Sequence, residues 1–125
     1  MKFQAISILT PAVENIINGS TSIEIRSWYP ETIPLKNVIL VQNDKYLKNQ
    51  SDIDHGVAMA IVDFVSVRNW PYEDYLKQNQ ETTLNKSWSP GYYVWEIKNV
   101  RTLKNSIPCV ARKGIYTIDL NMDYI

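Results

Sequence analysis

The chain of 125 residues has one cysteine, one histidine and no excess of either charge. Cys109 alone cannot form an intramolecular disulfide framework, which is typical of proteins of a reducing compartment. A formal net charge of zero excludes a long-range attraction to nucleic acid or to an anionic membrane, so any such contact must be local. His55 has no second histidine and no cysteine beside it, and we expect no metal site.

Long apolar runs and targeting signals are also missing. No run approaches the length of a membrane span, and residues 1–6 lack the apolar core and cleavage site of a secretory signal. We therefore expect a cytoplasmic protein without a membrane partner. The chain contains no phosphate-binding loop, nucleophile elbow or dinucleotide fingerprint, so no cofactor is predicted. Its 45% hydrophobic content suffices for one core, which predicts a single domain over residues 1–125.

The first part of the chain predicts a strand, a short helix and a second strand. Residues 3–9 alternate and are rich in isoleucine, as in a strand. Thr10 can act as the N-cap of a helix with Pro11 at its first position, and Gly19 supplies a left-handed end. In the next strand the two isoleucines should point inward, while the opposite face presents Glu24, Arg26 and Trp28.

Later segments predict four more strands and one more helix. The four strands cover residues 38–41, 56–67, 92–100 and 115–120. A polar surface loop over 42–55 separates the first two, and a short helix is expected after Trp70-Pro71. Because helices do not follow nearly every strand, a doubly wound parallel sheet is excluded. The predicted fold is α+β, a small, mostly antiparallel β-barrel of about six strands with two short helices packed at its side.

The order of these elements and several local motifs resemble the ASCH domain, a branch of the PUA-like barrel superfamily. The family motif Gly-x-Lys-x-x-Glu-x-Arg begins where the first helix ends, and Gly19, Glu24 and Arg26 occupy its positions here. The flanks are also similar, namely Ile6-Ser7-Ile8, Ser27-Trp28, the segment from Tyr92 to Val100, Pro108 and Lys113-Gly114. The resemblance implies a cleft between the barrel and the first helix, suited to single-stranded RNA, a modified nucleoside or another small polar ligand.

The chain departs from this motif at the lysine position, which holds Thr21. In relatives that hydrolyse acetylated cytidine or RNA, the motif lysine is a catalytic residue. A threonine hydroxyl is a poor nucleophile unless a neighbouring base removes its proton. The amidohydrolase pattern also has a threonine where this chain has Glu24. We therefore expect a non-enzymatic domain that binds RNA or a nucleoside-like molecule.

Four candidate ligand-binding residues lie around the motif, each with a structural alternative. Arg26 offers a planar donor fork to a phosphate or a base edge, and Glu24 accepts from an exocyclic amine; the alternative is an ion pair between them. Trp28 either stacks on a base or closes one end of the barrel. Thr21 either donates its hydroxyl to the ligand or satisfies a helix carbonyl.

Two further binding candidates lie later in the chain. Asp63 interrupts an apolar strand and is costly to bury alone, so it either faces the cleft or pairs with a cation such as Arg26 or Arg68. Tyr92 is the aromatic residue of the strand over 92–100 that we expect on the binding side, because Tyr93, Trp95 and Ile97 share the predicted core face.

Two other functions remain as alternatives to binding. The first is a small hydrolase of modified nucleosides or RNA, with Glu24, Thr21 or Glu73 as catalytic candidates and Asp74 beside them. The second is a protein-interaction module that uses exposed aromatic residues. The basic residues near the C-terminal strands either touch phosphates or form a solvated rim; they are Lys98, Arg101, Lys104, Arg112 and Lys113.

Overall fold

A computed structural model describes residues 1–77, 89–121 and 123. In these residues six strands and two helices follow one another as β1 (Lys2–Leu9), α1 (Ala12–Ile17), β2 (Ile23–Arg26), β3 (Leu35–Asn43), β4 (Ile53–Asn69), α2 (Tyr72–Lys77), β5 (Tyr93–Arg112) and β6 (Ile115–Asp119). All six strands form one sheet in the order β2-β5-β4-β3-β1-β6. The polar stretch 78–86 lies outside the described residues. No helix in the described part of the chain is both long and apolar enough to cross a membrane.

The sheet is mixed. Strands β1 and β3 run parallel, while β1–β6, β2–β5, β3–β4 and β4–β5 are antiparallel pairs. Within the described residues no ladder joins β2 to β6, the two ends of the sheet. The α+β class, the strand number and the two short helices are therefore confirmed, whereas the barrel form of the sheet is not confirmed.

Both faces of the sheet carry a hydrophobic core. The first core lies under α1 and includes Val38, Leu40, Phe64 and Trp95. The second core lies on the other face and includes Ile39 and Val41. Residues 38–41 are therefore apolar without alternation because neighbouring side chains enter two different cores, as the unbroken run predicts.

Helix α1 begins later than the sequence predicts. Its N-cap position is Pro11, and no side chain caps it. Thr10 lies one residue before the N-cap, and its N–H donates to the carbonyl oxygen of Asn43 at 2.9 Å, which continues the contact between β1 and β3. The predicted apolar stripe packs into the first core through Val13 and Ile16, and Gly19 has the expected left-handed conformation, with φ of +84°.

The loop between β3 and β4 is shorter than predicted, because residues 42–43 and 53–55 belong to strands. Two carboxylates organise the remaining segment. Asp54 Oδ2 accepts the backbone N–H groups of Asp44 and Lys45 at 3.1 and 2.9 Å, and Asp52 Oδ2 accepts those of residues 48 and 49. Polar residues near the start of β4 thus stabilise the loop through hydrogen bonds to its backbone. Their polarity made the first residues of the strand resemble part of the loop.

Candidate ligand-binding site

Strand β2 places the motif residues against β5. Glu24 lies opposite Trp95, and Arg26 lies opposite Tyr93. Directly opposed residues of an antiparallel pair share one face of the sheet. Since Trp95 belongs to the first core, Glu24 and Arg26 point to the face that α1 covers.

The prediction that Ile23 and Ile25 alone point inward was wrong, because β2 is covered on both faces. The two isoleucines pack with Trp70 and Val94 in a third, smaller cluster. The predicted alternation along the strand is present, but the charged pair faces the larger core. Glu24 is itself buried.

Glu24 and Arg26 form a largely buried ion pair. Arg26 Nε lies 3.2 Å from Glu24 Oε1, and the two side chains are only 21% and 10% exposed. The Nε–H is not aligned for a hydrogen bond, although the contact is close enough for charge–charge attraction. Arg26 Nη2 donates to the carbonyl oxygen of Ser7 in β1 at 2.6 Å. The ion-pair alternative is therefore present, and the pair also connects β2 to β1.

Ser7 is a polar contact point that the sequence did not reveal. The ladder between β1 and β6 ends at the pair Ile6–Ile115, one residue before it. Its hydroxyl lies 2.7 Å from the hydroxyl of Tyr116 and accepts the N–H of Arg112 at 3.2 Å. Burial raises the pKa of Tyr116, although the hydrogen bond with Ser7 acts in the opposite direction. The phenol therefore stays protonated and acts as a structural hydrogen-bonding group.

Aromatic residues lie on the same face of the sheet as the ion pair, with Trp95 opposite Glu24 and Tyr93 opposite Arg26. Trp28 lies beyond the end of β2, packs against the first core and meets Trp95 edge to face, with ring centroids 4.8 Å apart. Tyr29 meets Tyr93 in the same manner at 5.4 Å. The indole Nε1–H of Trp95 is buried and has no hydrogen-bond acceptor among the described residues. Sequence reasoning identified Trp28 but missed Tyr29, whose position depends on the bend after β2.

Thr21 lies at the junction of α1 and β2 and is buried. Its backbone N–H, not its hydroxyl, satisfies a helix carbonyl by donating to Asn15 at 3.2 Å. The hydroxyl lies 3.4 Å from both the N–H and the carbonyl oxygen of Ile23, which is at the weak end of hydrogen bonding. The predicted side-chain cap was therefore wrong, and the hydroxyl turns toward β2.

Asp63 accepts hydrogen bonds from residues of both neighbouring strands, β3 and β5. Its carboxylate accepts Asn99 Nδ2 at 2.8 Å, the N–H of Asn37 at 2.9 Å and Arg101 Nη2 at 3.0 Å. The pKa of Asp63 is lowered, first by Asn99 and then by the N–H of Asn37, although burial opposes this shift. The group joins β3, β4 and β5 where the pairing between these strands changes register.

The predicted partners of Asp63, Arg26 and Arg68, were wrong. Arg26 pairs with Glu24, and Arg68 contacts Asp74 at 2.5 Å and Glu96 at 3.3 Å. Asp63 pairs with Arg101 instead. These ion pairs also account for Asp74, one of the acids considered for catalysis.

Tyr92 and Glu73 lie away from the Glu24–Arg26 ion pair. Tyr92 packs on Trp70 with ring centroids 6.1 Å apart, and Tyr75 of α2 packs on the same tryptophan at 5.7 Å. Trp70 belongs to the third cluster, on the face of β2 and β5 opposite to Glu24. Glu73 is exposed on α2. The structure thus separates these two candidates from Glu24, Arg26 and Trp28, which face the first core. Thr21 contacts the backbone of Ile23 at the start of β2.

The remaining titratable residues of the described ranges are not grouped as metal ligands. Among the described residues, no group of three or more histidine, cysteine, aspartate or glutamate side chains is arranged to hold a metal ion. His55 is exposed, but on β4 and not in a loop. Burial raises the pKa of Cys109. The five basic residues near the C-terminal strands are exposed, and Arg101 among them holds Asp63.

The chain matches the ASCH domain over residues 6–106, which is most of its length. It therefore belongs to the ASCH domain family, a family with a PUA-like fold that is often linked to RNA binding. A search of curated proteins finds no significant match. The matched segment contains the Glu24–Arg26 pair, Ser7 and the aromatic residues on the same face of the sheet as the pair.

Proposed function

We propose that this ASCH domain binds RNA or a nucleotide-like ligand beside α1, through Thr21, Glu24, Arg26 and Trp28. The observation that carries the proposal is the buried Glu24–Arg26 pair, which lies opposite Trp95 and Tyr93 on the face where Trp28 packs. A charged donor, a charged acceptor and flat apolar surfaces are the groups that recognise a base and its phosphate.

The stability of the fold does not by itself explain this pair. Replacing a buried ion pair by apolar residues of similar size is often neutral or stabilising, because desolvation of two charges offsets their attraction. The interior around Glu24 and Arg26 is rich in large apolar side chains such as Trp95 and Phe64, so apolar residues would suit the position. A pair kept in such surroundings favours a role in recognition.

The curvature of the sheet supports a hollow at this position. Arg26 in β2 touches Ser7 in β1, although β5, β4 and β3 lie between these strands in the sheet order. Arg112 of β5 reaches the hydroxyl of the same Ser7. We infer that the sheet curls toward a PUA-like barrel whose concave side holds the ligand. We also place this activity in the cytoplasm, where single-stranded RNA and nucleotides are available.

The contacts favour binding over hydrolysis. The hydroxyl of Thr21 faces the backbone of Ile23, and the carboxylate of Glu24 is engaged with Arg26. Glu73 and Asp74 belong to α2, which packs on the opposite face of β2. Hydrolysis and a role as a protein-interaction module stay predictions that no described contact favours.

A pair of matched substitutions tests the proposal. Arg26→Lys keeps a positive charge beside Glu24 but removes the planar fork, and Arg101→Lys makes the same change beside Asp63. Binding of a labelled single-stranded RNA and of a nucleotide panel is measured together with the melting temperature. We expect Arg26→Lys to weaken binding by about tenfold and Arg101→Lys to leave it unchanged.

Two outcomes would overturn the proposal. One is that wild-type protein binds none of these ligands. The other is that Arg26→Lys lowers the melting temperature while the affinity per folded molecule is unchanged, which would make the Glu24–Arg26 pair purely structural.

A further inference from the structure

The aromatic side chains of β5 and of the segment after β2 differ in exposure, from fully buried in the first core to half exposed at the surface. Trp95, opposite Glu24, is fully buried, and Tyr93, opposite Arg26, is partly buried. Tyr29 packs on Tyr93 and is 54% exposed. Trp95 and Tyr93 lie two residues apart on the same face of β5, Trp28 and Tyr29 pack on them in turn, and Arg26 lies opposite Tyr93.

Tyr29 has a ring face that Tyr93 leaves uncovered. The two ring planes meet at 85°, in an edge-to-face arrangement. In such a pair one ring directs its edge at the face of the other, so at least one face of Tyr29 does not touch Tyr93. The contact also holds the tyrosine ring in place, which lowers the entropy lost when a base stacks on it. An anchored ring with an open face is a platform for any base.

Trp28 and Tyr29 are neighbours in the chain but differ in their surroundings. Trp28 contacts buried Trp95 and packs into the first core, whereas Tyr29 contacts Tyr93 nearer the surface. The bend after β2 therefore directs two successive aromatic side chains to two successive positions along β5. One ring packs on the buried Trp95 and the other on the partly buried Tyr93.

We infer that Tyr29 stacks on a second base, and that the ligand is a single-stranded RNA segment of at least two nucleotides. One nucleotide is held at Arg26, and its neighbour stacks on Tyr29. This inference rests on the proposed binding at Arg26. A free nucleotide carries a single base and occupies only the position at Arg26.

The test compares ligands of different length on matched variants. The probes are cytidine monophosphate, the dinucleotide CpC and a six-nucleotide cytidine RNA. The variants are Tyr29→Ala, Tyr29→Phe, which keeps the ring, and Tyr29→Leu, which covers Tyr93 without a flat face. Tyr46→Ala is the control, because Tyr46 is 70% exposed and lies in the loop between β3 and β4. Circular dichroism confirms that each variant is folded.

We expect Tyr29→Ala and Tyr29→Leu to weaken binding of CpC and of the longer RNA by about 5- to 150-fold. Tyr29→Phe and Tyr46→Ala should bind like wild type, and every variant should bind cytidine monophosphate equally well. If wild type binds cytidine monophosphate but Tyr29→Ala leaves the affinity for CpC unchanged, the second position does not exist, while the proposed function survives. If Tyr29→Ala weakens the mononucleotide as strongly as CpC, the ring contacts the first nucleotide and the inference is wrong. If wild type binds no probe, both the inference and the proposed function fail.

Discussion

Arg26 donates a hydrogen bond of 2.6 Å to the carbonyl oxygen of Ser7, although three strands lie between β2 and β1 in the sheet order. The contact requires the sheet to curl until β2, the first strand in the sheet order, approaches β1, the fifth strand in that order. The same guanidinium lies 3.2 Å from Glu24, so one side chain joins the motif to the curvature of the sheet. Loss of this arginine should therefore affect both stability and binding, and substitutions are needed that separate the two.

Removal of one partner of the buried pair should cost more stability than removal of both. Arg26→Leu removes the guanidinium that lies 3.2 Å from the buried Glu24 carboxylate, which we expect to lower the free energy of unfolding by about 3 kcal/mol. The double variant Glu24→Leu, Arg26→Leu removes both charges and should lie within about 1 kcal/mol of wild type. Urea unfolding measures both values.

The double variant also separates folding from function, since it should be folded and unable to bind RNA. If Arg26→Leu were as stable as the double variant, Glu24 and Arg26 would not form a buried ion pair in solution. A double variant that binds RNA like wild type would contradict the role of the pair in recognition.

Asp63 should make the protein sensitive to acid. The pKa of its carboxyl is held below the ordinary value of 3.8 by hydrogen bonds from Asn99 and the N–H of Asn37. A carboxyl whose pKa is lower in the folded state contributes stability that is present above its unfolded pKa and is lost as the pH falls through the folded pKa. The melting temperature of wild type should therefore fall as the pH decreases from about 5 through 3.

The variant Asp63→Asn isolates this contribution. It should melt at a lower temperature than wild type at neutral pH and show a smaller further decrease in acid. The pKa values of Asp52 and Asp54 are also lowered, because hydrogen bonds from backbone N–H groups together outweigh the opposing effect of desolvation, so part of the acid sensitivity remains. Equal slopes for wild type and variant between these pH values would show that the Asp63 contacts do not hold in solution.

Local patterns predicted the elements of this fold better than the contacts between them. The unbroken run Val38–Val41 indicated a strand buried on both faces, and the left-handed Gly19 was evident from its place after the helical stripe. These features depend on neighbouring residues only. The length of β4 was underestimated, because Asp54 at its start serves the preceding loop and made a strand resemble part of that loop.

The candidate site was predicted in part. The family motif located Glu24 and Arg26, but Ser7 lies 19 residues away from Arg26 and becomes a partner only through the curl of the sheet. The partner of Asp63 was missed for the same reason, since Arg101 is 38 residues away in sequence. A charge pattern in one segment shows which groups need a partner, whereas the order of strands decides which partner they find.

Gly56 should not tolerate a side chain, although it lies in a regular strand. A Cβ atom there would lie 2.6 Å from Val41 Cγ1 and 3.1 Å from the Cβ of Ala111, both in the second core. Overpacking of this kind costs about 1–3 kcal/mol, which is the decrease we expect for Gly56→Ala in urea unfolding.

The clash with Val41 provides the control for this prediction. Val41→Ala alone removes buried methyl groups and is also expected to destabilise the protein. In the double variant the new methyl at residue 56 enters the space left at residue 41, so the combined loss should be smaller than the sum of the single losses. Additive losses would mean that residues 41 and 56 do not touch.

The effect of Thr21 at the motif lysine position on hydrolytic activity can be tested directly. Thr21 is buried, and its hydroxyl lies 3.4 Å from the backbone of Ile23, with no described contact that would activate it as a nucleophile. We expect purified protein to release no more product from N4-acetylcytidine, or from end-labelled RNA, than the variant Glu24→Ala. Chromatography of the reaction mixtures measures this difference. Turnover by wild type that is lost in Glu24→Ala would instead establish a hydrolase, in which the carboxylate of Glu24 replaces the lysine as the proton-transfer group.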